Sequence, residues 1–231
     1  MNNAIPYYYR HLNTRFLKIL PQGLGRVLEF GCSAGLLCEN YKKENPNTVW
    51  HGVEIMSDAA EYAKDRLDEV WVMDANKLIH KQEMLTQKYD AIIYGDVIEH
   101  LIDPVKSLPH HLELLADDGE LIACIPNIQH WTIVKDLLKG KWEYADSGLL
   151  DNTHLRFFTR ESIASLVDSL DMTLVLQQRY SYEDSAMFNK RIEERDEILE
   201  LLKLVNISLG QEHNDLDFRT FQYGIRARKK A

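Results

Sequence analysis

Four carboxylates in this chain stand where apolar runs end or turn, and their spacing is the first sign of chemistry. Glu29 lies inside Val27-Leu-Glu-Phe-Gly-Cys-Ser-Ala-Gly35, Glu54 closes TVWHGVE, Asp74 closes EVWVMD and Asp96 closes YDAIIYGD. The segment Glu29-x-Gly31-x-x-x-Gly35 reads as a turn from a strand into a helix. Glycine tightens such a turn and lets a ligand approach the backbone, while the helix N-terminus adds unpaired N–H donors and partial positive charge. A dinucleotide-binding turn would carry two further glycines where this chain has Ser33 and Leu36, which argues against a nicotinamide or flavin dinucleotide. A carboxylate at Glu54 can accept both hydrogen bonds of a ribose diol, and one at Asp74, followed by Ala75, can accept from an adenine amino group. One acidic residue at a strand end is usually a cap. An acidic glycine turn followed by three carboxylates at successive strand ends outlines a binding site.

A second set of residues could move a proton or hold an ion. Asp96-Val-Ile-Glu99-His100-Leu-Ile-Asp103-Pro104 sits just beyond the fourth strand. Gly148-Leu-Leu-Asp-Asn-Thr-His154-Leu-Arg-Phe-Phe-Thr-Arg160 forms the later part of a long stretch, 140–158, without clear period, and runs just past it. Histidine accepts a proton near neutral pH, so His100 and His154 are candidate catalytic bases, with Asp96 beside them. A single histidine here would more often pin a loop; two from separate motifs at one cleft mouth favour a catalytic role for at least one. Arg156 offers a planar fork for an anionic substrate, whereas Arg160 reads as a helix-surface residue. Asn127, in Ile125-Pro126-Asn127, and Tyr144 are further candidate substrate contacts, and Trp131 and Trp142 candidate cleft aromatics.

These side chains need a frame. Strands are expected at 26–30, 48–54, 69–74, 89–96 and 120–126, with helices over 36–43, 58–68 and 104–116 between them. Ser57 reads as an N-cap, Asp103-Pro104 as a helix start and Asp118-Gly119 as a turn. Such alternation implies right-handed crossovers and a parallel sheet covered on both faces, with ligands beyond the carboxyl ends of the strands. Further on, 127–139 reads as helix, Thr159 caps a helix to about Leu170, and 172–180 is a strand. The stretch 185–209 is an amphipathic helix with Phe188, Ile192, Ile198, Leu201, Leu202 and Val205 apolar, and 217–228 alternates as a final strand. That helix could pack, cap the acceptor site or pair two subunits, so a homodimer stays open.

Composition bounds the function. At 231 residues with 45% hydrophobic and 27% charged, the chain has material for one domain, 1–231, with a real core. A net charge of -9 argues against a long nucleic acid as partner and leaves room for a small, even anionic, acceptor. Cys32, Cys38 and Cys124 form neither a disulfide nor a zinc pattern, so a reducing cytoplasm is expected. No apolar run is long enough for membrane insertion, and the N-terminus lacks a signal-like stretch.

With these motifs in hand, the chain resembles the class I S-adenosylmethionine-dependent methyltransferases over roughly residues 5–180 plus the last strand. The resemblance implies an α/β, Rossmann-like, seven-stranded, mostly parallel sheet whose last strand is antiparallel, and S-adenosyl-L-methionine as cofactor. It places Glu29, Gly31, Cys32, Ser33 and Gly35 around the methionine part and Glu54 on the ribose, with Ile55 a further cofactor contact. Asp74 and Ala75 would face the adenine and Asp96 the methionine end. An N-terminal helix over 5–20 would cover that end, bringing Tyr9 from Tyr7-Tyr8-Tyr9-Arg10.

The strings EHLIDP, IPN and GLLDNTHLRFFT are similar to those of a bacterial subgroup associated with glycan and secondary-metabolite assembly. This implies O-methylation of a small polar acceptor, such as a sugar, a nucleotide-linked or another biosynthetic intermediate, with a histidine base. Asp96, Glu99, His100 and His154 also resemble the pattern of metal-dependent 2′-O-methyltransferases acting on small-RNA ends, which implies Glu99, His100 and His154 as ligands of a divalent metal. A cofactor-binding subunit without catalysis is the third alternative.

Overall fold

The computed structural model describes residues 12–80, 87–181, 192–208 and 215–230. Seven strands, β1 (Arg26–Phe30), β2 (Val49–Glu54), β3 (Glu69–Val72), β4 (Tyr89–Gly95), β5 (Leu115–Pro126), β6 (Met172–Tyr180) and β7 (Gln222–Lys229), form one sheet in the order β3-β2-β1-β4-β5-β7-β6. β1 to β5 pair in parallel, and β7 runs antiparallel to both β5 and β6. The burial of each strand follows its place. β1 and β4 in the middle are covered on both faces and read as continuous apolar runs, while β3 and β6 at the edges are mostly open.

The helices are α1 (Thr14–Ile19), α2 (Leu36–Lys42), α3 (Ser57–Ala63), α4 (Pro104–Leu112), α5 (Trp131–Leu138), α6 (Arg160–Ser169), α7 (Ile192–Ser208) and α8 (Asp215–Arg219). One core layer joins the sheet to Leu108 and Leu112 of α4 and to Ile163 and Leu166 of α6. The other joins it to Phe16 and Ile19 of α1 and to Leu37 and Cys38 of α2. Local chemistry sets several ends. The Asp103 carboxylate accepts from the Lys106 N–H at 3.2 Å with Pro104 as first helical residue, and Thr159 and Ser162 form a reciprocal capping box.

Some boundaries differ from the sequence reading. Ser57 is the first residue of α3, not its cap; Met56 precedes it without a side-chain bond, and the helix ends at Ala63. α4 stops at Leu112 because Leu115 already pairs with Tyr89. The pairing then jumps to Ala91 with Glu120, so residues 116–119 bulge within β5 where a turn was expected. Gly119 is needed there, since a Cβ would lie 2.8 Å from the Tyr89 carbonyl oxygen. α5 starts only at Trp131, because the chain at Asn127 is held by a bridge to Phe158.

In the expected 185–209 helix, α7 packs on α5 through Leu199 and Leu202, which close over Trp131 with Val134, Ile198 and Phe218. Trp131 is therefore core, and Leu201 is exposed. Phe188 lies outside the described residues, as do Tyr7, Tyr8, Tyr9 and Arg10; of the expected 5–20 helix, α1 covers Thr14–Ile19. No helix among the described residues is long and apolar enough to cross a membrane.

Candidate active site

The strand order reverses between β1 and β4: from β1 the chain moves outward to β2 and β3, then returns to β4 and β5. In open α/β sheets the crevice beyond the carboxyl ends at such a point receives the ligand. The glycine turn lies there. Gly31 and Gly35 have φ of +71° and +78°, and Ser33 has +47°. A Cβ on Gly31 would meet Val97 Cγ2 at 2.5 Å, and one on Gly35 would meet Leu67 Cδ1 at 2.5 Å. Both glycines thus serve close approach as well as conformation.

Glu54, buried at the end of β2, holds the turn. Its Oε2 accepts from the Ser33 N–H at 2.8 Å and its Oε1 from the Met56 N–H at 2.9 Å. Each oxygen retains a lone pair for a diol. Ile55, next in the chain, is 62% exposed on this edge. Asp74 Oδ1 accepts from both the N–H and the side-chain amide of Asn76, at 2.9 and 3.0 Å. Glu29 is placed differently from its neighbours. Its carboxyl is buried and accepts from Trp50 Nε1 at 2.9 Å. Burial pushes its pKa up to about 8, against the Trp50 hydrogen bond and helped by the Glu54 charge. At neutral pH Glu29 is a neutral buried group beneath the turn. The Cys32 thiol is buried as well, and burial raises its pKa.

The sequence reading missed what supports Ala75. His111 Nε2 donates to the Ala75 carbonyl at 3.0 Å, so its Nδ1 accepts from the Tyr94 hydroxyl at 2.8 Å. The imidazole stacks on Phe30 at 4.5 Å, and Phe30 stacks on Tyr94 at 4.8 Å. Burial lowers the His111 pKa to about 4, which fixes the neutral ring. Its position one turn beyond Leu108 on the apolar face of α4 was the available signal.

Beside Asp96 opens a cavity of about 560 Å³. Asp96 has φ +55°, outside the usual range for a side-chain-bearing residue. Its Oδ2 accepts from Asn13 Nδ2 at 3.1 Å and its Oδ1 from Gln222 Nε2. On the other wall the short helical turn Ile98–His100 meets the loop carrying His154. The N–H groups of Leu155 and Arg156 donate to the Glu99 carbonyl at 2.8 and 3.0 Å, which fastens the loop.

His100 Nδ1 donates to the Thr153 carbonyl at 3.1 Å and His154 Nδ1 to the Leu149 carbonyl at 3.2 Å. Both Nε2 atoms are then unprotonated in the neutral rings, which meet edge to face at 4.8 Å. Burial and the neighbouring His100 lower the His154 pKa. Glu99 is 1% exposed, and neither of its carboxyl oxygens has a hydrogen-bond partner among the described residues. Burial and the nearby Asp96 raise its pKa well above the usual carboxyl range. One ligand atom each from Glu99, His100 and His154 lie within 4.8 Å of one another. A buried carboxyl without a hydrogen bond is costly, and this one has His154 Nε2 4.0 Å from its Oε1 and a ring nitrogen of His100 close by. That donor set fits a divalent cation with water completing its shell.

Other candidates fall outside the cavity lining. Asn127 is fully buried, and its polar atoms are taken: Nδ2 donates to the Asp217 and Thr220 carbonyls, each at 2.7 Å, and Oδ1 accepts from the Gln129 N–H at 3.0 Å. Arg156 is exposed and donates to the carbonyls of Ile102 and Leu155. Arg160 is not a free surface residue but pairs with the buried Asp217 at 2.9 Å. Tyr144, 55% exposed, belongs with Trp142 and Phe157 to an aromatic group on the outer side of the loop. The cavity instead gains Asn13, Arg15 and Gln222, and no spacing in the sequence relates residues 15 and 222.

The chain matches the model of a family described as a methyltransferase domain over residues 1–177. It is 31% identical over 109 residues to nodulation protein S of Azorhizobium caulinodans, a match covering 43% of this chain; the chain spans about half, 48%, of that relative's length. Among solved structures, it is similar to an S-adenosylmethionine-dependent methyltransferase from Archaeoglobus fulgidus, with TM-score 0.60, 19% identity and coverage of 94% and 91% of the two chains. A second, from Mesorhizobium loti, gives 0.59 at 13% identity, covering 93% and 96%. Magnesium protoporphyrin IX methyltransferase of Synechocystis, solved with bound S-adenosylhomocysteine, gives 0.56 at 13%, covering 94% and 78%. The chain belongs to the methyltransferase-domain family, whose fold its sheet reproduces with the last strand reversed. It is a class I methyltransferase, and its cofactor is S-adenosylmethionine.

Proposed function

We propose that this methyltransferase acts on a hydroxyl of a small polar acceptor, such as a sugar or a nucleotide-linked intermediate, bound in the cavity beside Asp96. The observation that carries this reading is the pair of imidazoles whose Nδ1–H groups are tied to carbonyls, leaving two Nε2 atoms as proton acceptors on the cavity wall. The cofactor supplies a methyl group on a sulfonium, whose departure needs no acid. The chain's tasks are to hold the acceptor in line and to accept its proton, and His154 or His100 performs the second. Glu54, Ile55, Asp74 and Ala75 form the nucleoside side of the cofactor crevice in this reading. Asp96, braced by Asn13 and Gln222, bounds its methionine end, where the cavity begins.

One observation favours a second route within the same reading. The buried Glu99 carboxyl, without a hydrogen bond among the described residues and with Oε1 4.0 Å from His154 Nε2, suits a divalent ion, which would hold and acidify the acceptor hydroxyl. Glu99, His100 and His154 would be its protein ligands. A long RNA acceptor is disfavoured by the net charge of -9.

Methyl transfer to hydroxyl sugars and nucleotide sugars, followed as S-adenosylhomocysteine formed, tests the acceptor class. Transfer confined to amino sugars would overturn the oxygen reading. Full turnover after dialysis against a chelator excludes the metal and leaves a histidine as base. Loss restored by Mg²⁺ or Mn²⁺ establishes the metal route.

A further inference from the structure

The cavity wall opposite in character to the Glu99 cluster holds a cation with no paired carboxylate among the described residues. Arg15 is the one lysine or arginine among the described residues lining the cavity. Its Nη1 donates to Gln222 Oε1 at 2.6 Å, and its guanidinium carbon lies 5.6 Å from the Tyr180 ring centroid and 5.9 Å from that of Phe221. The Tyr180 hydroxyl donates to the Arg15 carbonyl at 2.8 Å, so main chain and side chain are both held. Asp96 would be the natural partner, but the Gln222 amide stands between them, accepting from Arg15 and donating to Asp96. No carboxylate pairs with Arg15 among the described residues, and Nε and Nη2 keep their donors. A guanidinium held beside two aromatic rings, linked to Asp96 only through an amide and fronting a cavity, is preorganised for a planar or tetrahedral oxyanion.

We propose that Arg15 is the anion-recognising residue of this cavity and receives a carboxylate or phosphate carried by the acceptor. The inference rests on the reading that the acceptor occupies this cavity. It assigns to Arg15 the role expected from the sequence for Arg156, whose guanidinium is committed to main-chain carbonyls. The acceptor class narrows to hydroxyl compounds that also bear a negative group, sugar phosphates and hydroxy acids among them.

The test is a titration of the full chain, loaded with S-adenosylhomocysteine and kept in chelator, with inorganic phosphate and with malonate. Chelator removes any anion binding through a metal at Glu99, and the titration needs no turnover, so it fails or succeeds independently of the proton-acceptor assignment. Arg15→Gln should weaken phosphate or malonate binding about tenfold or more, the scale of a lost charged hydrogen-bond pair. Arg15→Lys, which keeps the charge but not the fork, should lose less, roughly three- to fivefold, and serves if the glutamine variant does not fold. The second arm compares S-adenosylhomocysteine with 5′-methylthioadenosine, which lacks the amino-acid portion. Equal affinity of wild type and variant for both places the anion on the acceptor. A selective loss for S-adenosylhomocysteine assigns Arg15 to the cofactor's own carboxylate and overturns the acceptor assignment. Unchanged anion binding in both variants, or none in wild type, overturns the proposal.

Discussion

Replacing Glu29 with glutamine should remove a large part of the pH dependence of stability, and the size follows from where the carboxyl sits. Glu29 is buried under the glycine turn with one hydrogen bond from Trp50, and its folded pKa is about 8 against an ordinary 4.5. The folded pKa is raised, so the stabilising contribution is present below the unfolded value and is lost as pH rises through the window between the two. Below about pH 4.5 the group is neutral in both states. Above it the unfolded chain ionises first and folding becomes less favourable, until the folded group also ionises near pH 8. At about 1.36 kcal/mol per pKa unit the full effect approaches 5 kcal/mol, of which about 2.5 kcal/mol falls between roughly pH 6 and pH 8.5. Urea unfolding of wild type and Glu29→Gln across that range reads it as a difference. The variant should gain about 2.5 kcal/mol on wild type from the lower to the higher pH. Parallel curves would refute the reasoning, because they would mean that Glu29 is ionised in the folded protein and faces the turn as a charge.

Other outcomes follow from the same geometry. Glu54→Ala removes the acceptor of two backbone N–H groups as well as a diol acceptor; calorimetric titration should show S-adenosylhomocysteine bound roughly 10- to 100-fold more weakly, and unchanged affinity would take Glu54 out of the cofactor site. His154→Ala should reduce turnover far more than cofactor affinity, whereas equal losses would make it a loop-pinning residue. Asn127→Ala leaves two buried carbonyls without donors and should cost about 2–4 kcal/mol in chemical denaturation with KM unchanged; a raised KM at unaltered stability would return Asn127 to the acceptor.

The parallel half of the sheet was legible because its strands are apolar runs closed by turns, and three of them stop at or just before a carboxylate. Glu54, Asp74 and Asp96 mark three such ends, and the sequence shows them without any knowledge of pairing. Glu29 obeys the same pattern but ends up under the turn, since it sits one residue inside β1, a strand covered on both faces. His100 and His154 were brought together as expected because their motifs flank the same strand-end region. Asn127 and Arg156 were misjudged for a common reason: a polar side chain near a cleft can equally serve the main chain, and a sequence does not reveal which carbonyls lack donors. Arg15 and Gln222 were illegible, because their 2.6 Å contact is made by β7 arriving from the far end of the chain.

The reversal of β7 has a consequence for how the molecule could change. A parallel strand delivers its last residue to the active edge; an antiparallel one delivers its first, and here that residue is Gln222, opposite Tyr180 at the end of β6. The sheet ends β6 at Tyr180 and begins β7 at Gln222 on this same edge, whereas the glycine turn and the strand-end carboxylates all precede residue 97. The cavity is thus built from both ends of the chain, with Asn13 and Arg15 from one and Gln222 from the other. A change at the start of β7 therefore reaches the cavity through the contacts of Gln222 with Arg15 and Asp96, and leaves the contacts of Glu54 with the Ser33 and Met56 N–H groups untouched.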